Sequence, residues 1–245
     1  MDDAPALQRA IDAAQRQNRA LLLPAGSYTI NATLLVRCCR KGTAPMVPPL
    51  RLIGEGPLQT LIEPGRQMTA LIAMTGANDT VLPGPPDKST AMAEYHEISQ
   101  IYLNAQSLAD YALLAPVLSR GRIADLKVIG AVKAGVLLGG WINSVIDCMF
   151  TNNGIALQLE TFNAVSVTRC ALEGSHTAGL LANDGHTLTV TGATIEANGG
   201  PGVIANGVAG LSFTGNYLEG NNRDNMKGRL AEQWPTAAGD QQVAM

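Results

Sequence analysis

Val145-Ile-Asp-Cys-Met-Phe-Thr151, Val167-Thr-Arg-Cys-Ala-Leu-Glu173, Val190-Thr-Gly-Ala-Thr-Ile-Glu196 and Phe213-Thr-Gly-Asn-Tyr-Leu-Glu219 are copies of one pattern, with starts 22 or 23 residues apart. Ile123-Ala-Asp-Leu-Lys-Val-Ile129 is a fifth copy, and Ile98-Ser-Gln-Ile-Tyr-Leu-Asn104 a weaker sixth. Each reads apolar, two variable residues, small or apolar, one variable residue, apolar. Most copies are followed by glycine and an apolar-x-apolar triplet, as in Gly154-Ile-Ala-Leu157 and Gly202-Val-Ile-Ala205. A fixed period of this length is the mark of a solenoid.

Two solenoids share such a period. A leucine-rich repeat fits Val190 to Asn198, but its return path is a helix or an extended loop. Here the return is a second short alternating segment, and the Gly, Asn and Thr between copies are poor helix formers. Several short strands per turn describe a parallel β-helix, whose coils stack at ~4.8 Å. The composition agrees: 46% hydrophobic residues can fill a core, while 26 glycines and only 4% aromatics suit tight turns around a thin interior.

Stacking assigns columns. Ile101, Leu126, Cys148, Cys170 and Ala193 point inward, as do Leu103, Val128, Phe150, Leu172, Ile195 and Leu218. Cys148 and Cys170 are then neighbouring buried thiols that serve packing. Asn153, Ser175, Asn198 and Asn221 form a turn column, where side-chain amides can satisfy backbone groups from coil to coil.

The first 65 residues carry a helix over 3–17, with Asp3 placed to cap it, Pro5 in the first turn, and Leu7, Ala10, Ile11 and Ala14 at helical spacing. Two strands joined at Pro24-Ala-Gly26 follow. These stretches, with Leu52-Ile-Gly-Glu-Gly56 and Thr60-Leu-Ile62, resemble the opening of the pectate-lyase-like superfamily. The resemblance implies a right-handed β-helix. That superfamily includes polysaccharide lyases, polygalacturonases, epimerases and phage tailspikes, so it implies a scaffold and no single reaction.

The expected architecture is therefore all-β: one right-handed parallel β-helix domain over 1–245, of about eight coils, capped by the helix at 3–17. Coils occupy 20–222, with loop insertions near 38–49 and 75–95, and 223–245 form a C-terminal tail that opens with a short helix. A net charge of −3 gives no basic face for nucleic acid or acidic lipid. No apolar run approaches the ~18 residues of a membrane span, and Met1-Asp-Asp3 reads unlike a signal peptide.

Chemistry is expected one residue past the inward Leu or Ile, where Thr151, Glu173, Glu196 and Glu219 point outward in one column. Stacked carboxylates ~5 Å apart repel, so at least one should have a raised pKa. Adjacent coils match the separation of retaining glycosidase pairs, and alternate coils approach that of inverting ones. Glu196 and Glu219 lead, with Glu173 third. The alternative is that Glu-x-Asn is a turn consensus with solvated carboxylates. Tyr217 flanks Glu219 and could stack on a sugar; Trp141 and Phe162, read as turn residues, could line a shallow groove. Arg169 lies beside the acids and could serve a lyase. Asp184-Gly-His186, with His176 on the preceding turn, is a weaker candidate for contact with substrate. Thr194-Ile-Glu-Ala-Asn198 and Asn216-Tyr-Leu-Glu-Gly-Asn221 resemble coils of tailspike-like members.

No cofactor or metal is expected, although a lyase would need calcium or another cation to neutralise a uronate, and Asp125 and Asp147 form a weak candidate site. The reading is a polysaccharide-binding protein that degrades its ligand by hydrolysis or elimination; the rival is a non-catalytic tailspike or adhesin module. The expected partner is a polysaccharide, with no nucleic acid and no membrane, the chain being a monomer or a homotrimer. The resemblance alone implies an extracellular or virion setting.

Overall fold

The computed structural model describes residues 1–38, 48–75, 93–222 and 243–244. The insertions expected near 38–49 and 75–95 and the C-terminal tail fall largely outside the described residues. Every strand pairing is parallel, and the strands form two sheets, of fourteen and eight strands. The smaller sheet takes one short strand from each level: Gly26–Ile30, Thr60–Pro64, Tyr102–Asn104, Lys127–Ile129, Met149–Thr151, Ala171–Glu173, Thr194–Glu196 and Tyr217–Glu219. The larger sheet supplies the rest of each turn, and in the later levels this becomes one long bent strand, as in Ala134–Ile146, Ile155–Thr168 and Ala178–Thr191. The result is a right-handed parallel β-helix. Its regular part amounts to about five turns, against the eight expected from the repeat.

The inward columns lie as the repeat requires. Leu103, Val128, Phe150, Leu172 and Ile195 are fully buried and in register, each worth about 1.5–3 kcal/mol of burial. Cys148 and Cys170 are buried free thiols. Their Sγ atoms donate to Ile146 O and Thr168 O at 3.3 and 3.4 Å, and burial pushes the Cys148 thiol pKa up.

The turn column is a working amide ladder. Asn153 Oδ1 accepts from Ala131 N at 3.0 Å, and Asn198 Oδ1 from Ser175 N at 2.8 Å. Asn198 Nδ2 donates to Leu172 O at 3.0 Å and to Asn221 Oδ1 at 2.7 Å, and Asn221 Nδ2 donates to Ile195 O at 2.8 Å. Ser175 breaks the series, its Oγ buried and unpartnered.

Helix α1 (Ala4–Gln17) closes the first level with Leu7, Ile11 and Ala14 buried beneath it. Asp3 does not cap it. Its carboxylate instead accepts from Thr29 N at 3.0 Å, an edge strand that would otherwise be unpaired, and Asp2 Oδ1 accepts from Ala4 N at 3.1 Å. Gln8 brackets Leu35, accepting from its N–H at 2.7 Å and donating to its carbonyl at 3.0 Å. Gln15 does the same at Arg37, with distances of 3.1 and 3.0 Å.

His96 is 2% exposed, and its Nδ1 accepts from Leu50 N at 2.9 Å. Burial lowers its pKa to about 4. Protonation would turn the acceptor into a donor facing another donor. Because the folded pKa lies below the unfolded value of ~6.5, the contribution is complete above pH ~6.5 and is lost as the pH falls toward 4. A loss of about 3 kcal/mol across that window is expected from the difference between the two pKa values. Chemical denaturation at pH 7.5 and 4.5 checks it, and His96→Asn should flatten the slope. The neighbouring Glu97, hydrogen-bonded by Arg51 and Arg122, has a lowered pKa and acts at more acidic pH.

Candidate active site

A three-residue strand in the smaller sheet reads out–in–out, so each level offers two side chains to the outer face. The second outward column contains Asn104, Ile129, Thr151, Glu173, Glu196 and Glu219 in continuous register. The three glutamates therefore stand on consecutive coils, with backbones ~4.8 Å apart. The first outward column contains Leu61, Tyr102, Lys127, Met149, Ala171, Thr194 and Tyr217. Ala171 and Thr194 are its smallest members and lie level with Glu173 and Glu196. Met149, 40% exposed, and Tyr217, 54% exposed, stand at either end of this low stretch. The register thus places a shelf beside two acids, with a thioether wall on one side and a phenol on the other.

The acids are not equivalent. Glu173 is half-buried, and its pKa is raised, first by burial and then by the charge of Glu196. Glu219 is exposed and accepts a hydrogen bond from the Tyr217 hydroxyl. Thr151 Oγ1, one coil before Glu173 in this column, is buried without a partner. Gly174 follows Glu173 with φ +62°, and a Cβ there would lie 2.7 Å from Asn152 Oδ1. The missing side chain lets the Asn152 amide lie over the turn that follows Glu173. Together these features shift weight from Glu219 toward Glu173 and Glu196.

The other sequence candidates lie elsewhere. Trp141, Asn163, His186 and Ala209 align in one column of the larger sheet, away from the glutamates. Trp141 is in a strand, not a turn, because the long strands continue through the bend. Asp184 sits exposed at that bend with φ 51°. Phe162 is 2% exposed and belongs to the core: a Cβ on Gly185 would lie 2.1 Å from its ring. The groove of Trp141 and Phe162 is therefore not formed. His176 is an exposed turn residue. Arg169 lies at the turn entering the strand of Glu173 and grips Asp147 through Nε and Nη2, both at 2.7 Å. This fork occupies half of the Asp125–Asp147 cation candidate. Among the described residues no group of three or more His, Cys, Asp or Glu is arranged to hold a metal, and no helix is long and apolar enough to cross a membrane.

Sequence reasoning missed the shelf and Lys127. Their signal was present, since every one of these residues lies two positions before the second outward column. A further ladder was also missed: Glu160 Oε1 accepts from Gln158 Nε2 and Asn183 Nδ2, both at 2.7 Å, and Asn206 Nδ2 donates to Asn183 Oδ1 at 2.9 Å.

Comparison with known proteins agrees with the fold. A family model described as a right-handed beta helix region matches residues 153–233. No curated protein sequence matches. Among solved structures, ORF18 of Geobacillus virus E2 is similar at a TM-score of 0.68 and 14% identity, over 86% of this chain and 45% of that one. The catalytic unit of a GH87 α-1,3-glucanase from Streptomyces thermodiastaticus has a TM-score of 0.58 at 16% identity, over 83% and 39%. The Dettilon tailspike protein has 0.63 at 11% identity, over 90% and 47%. The chain thus spans under half the length of each of these three structures.

Proposed function

We propose that this right-handed parallel β-helix, with the fold of the pectate-lyase-like superfamily, binds a linear polysaccharide along the outer face of its smaller sheet and hydrolyses it there. The observation that carries the reading is the register of Glu173 and Glu196, combined with the raised pKa of Glu173. A carboxyl that keeps its proton can donate it to a departing glycosidic oxygen. A charged carboxylate one coil away can attack the anomeric carbon, at the short separation that retaining enzymes use. Glu173 is therefore the acid and Glu196 the nucleophile. The bond to the leaving oxygen breaks as the bond to Glu196 forms. Water then displaces Glu196, with the Glu173 carboxylate accepting the proton.

Ala171 and Thr194 leave room for a sugar ring beside this pair, and Tyr217 offers an aromatic edge while fixing Glu219. The likeness to a virus protein and a tailspike supports a virion or extracellular setting within the same proposal. A glycan panel assayed for new reducing ends, followed by NMR of the first-formed product, tests the reading. The product is expected to retain its anomeric configuration. Inversion would instead assign the pair to alternate coils, Glu173 with Glu219. Unsaturated uronate absorbance would mean elimination, and binding without turnover on any glycan would favour an attachment module.

A further inference from the structure

The face that carries the glutamates holds one cation among the described residues, Lys127. Its strand is in register with Tyr102 on one side and Met149 on the other. The ammonium lies 4.7 Å from the centroid of the Tyr102 ring, so the ring holds it, and the residue is half-buried. Arg51, Arg120, Arg122, Lys133 and Arg169 each have a carboxylate partner; Lys127 forms no ion pair among the described residues. Glu63, whose charge reaches Tyr102, is engaged by Gln106 Nε2 at 2.6 Å and by Ser27 Oγ at 3.4 Å. Asp125, two residues earlier, sits on the preceding turn at φ 51°.

Along the axis the face therefore has a fixed polarity. Lys127 and Ile129 share one level, Met149 and Thr151 the next, and then come the three acid levels. Lys127 is two coils from Glu173 and three from Glu196, about 10 and 14 Å at the coil spacing. A negative substituent on a sugar beside the glutamates would add a like charge to an already repelling column. The same substituent at Lys127 would meet the one cation that has room for it.

We infer that the ligand is a glycan whose repeat carries an anionic group on some sugars only, with a charged unit at Lys127 and an uncharged one at Glu173 and Glu196. A polymer charged on every sugar is disfavoured by the same arrangement. The inference rests on the proposal that this face binds glycan, but not on the chemistry assigned to the glutamates.

Calorimetric binding to the full chain separates the possibilities. One probe pair is an oligosaccharide alternating uronic acid with neutral amino sugar, and its carboxyl-reduced form. The other is a partially sulfated neutral oligosaccharide and its desulfated parent. The wild type is expected to bind the charged member of one pair about five-fold more tightly, a preference that shrinks in high salt. The pair that shows it identifies the anion as carboxylate or sulfate. Lys127→Met should remove the preference, Lys127→Arg should keep it, and Glu173→Gln and Glu196→Gln should also keep it. A wild type that favours neither charged probe, or a Lys127→Met protein that still does, overturns the inference. Failed turnover with intact charge preference would count against the catalytic reading alone.

Discussion

Glu173→Gln and Glu196→Gln are each expected to lower turnover by about 10³-fold or more, with binding of the intact glycan largely kept. The amide has the shape of the acid but can neither donate a proton to a leaving oxygen nor form the ester intermediate. In Glu196→Gln, the charge that adds to burial in raising the Glu173 pKa disappears. Glu196→Gln should therefore shift the titration of Glu173 downward as well as abolish turnover. Glu219→Gln should lose far less, because its partner is Tyr217 and it stands one coil farther from Glu173. Initial rates for all three against one glycan check the ranking, and unchanged rates in the first two would end the proposal.

Asn198→Ala should be the most destabilising single change in the turn ladder, by about 4 kcal/mol. Its Oδ1 is the acceptor for Ser175 N, and its Nδ2 serves both Leu172 O and Asn221 Oδ1. Asn198 is fully buried, so water cannot replace these bonds, and each orphaned buried group costs about 1–3 kcal/mol. The preceding level already lacks an amide, because serine stands there, and Ser175 Oγ has no partner. Thermal unfolding should show the loss as a fall of about 8–16 °C in Tm for a chain of this size. An exposed amide such as Gln17, at the end of α1, changed to Ala provides the contrast, with a small shift.

Much of the fold was legible because a solenoid writes the same constraint once per turn. Val167, Val190 and Phe213 align by counting, and the glutamates follow from them. What could not be read was anything that depends on how the return path bends. Phe162 and Trp141 both lie in the stretch where the strands turn a corner. An alternating pattern gives no sign of which way a side chain points beyond such a bend, so a core ring looked like a surface one. The acids' inequality was equally hidden, since burial at Glu173 and the Tyr217 contact at Glu219 belong to packing. Asp3 misled for a related reason: a carboxylate before a helix usually serves that helix, but here an open strand edge competes for it and wins.

That competition has a consequence for assembly. With Asp3, Gln8 and Gln15, α1 presents to the first level the donors and acceptors that another peptide strand would offer. A stack of in-register coils is otherwise a template that can recruit a further chain and elongate into a filament. The helix imitates the next rung without exposing a new one behind it, so growth stops at that pole.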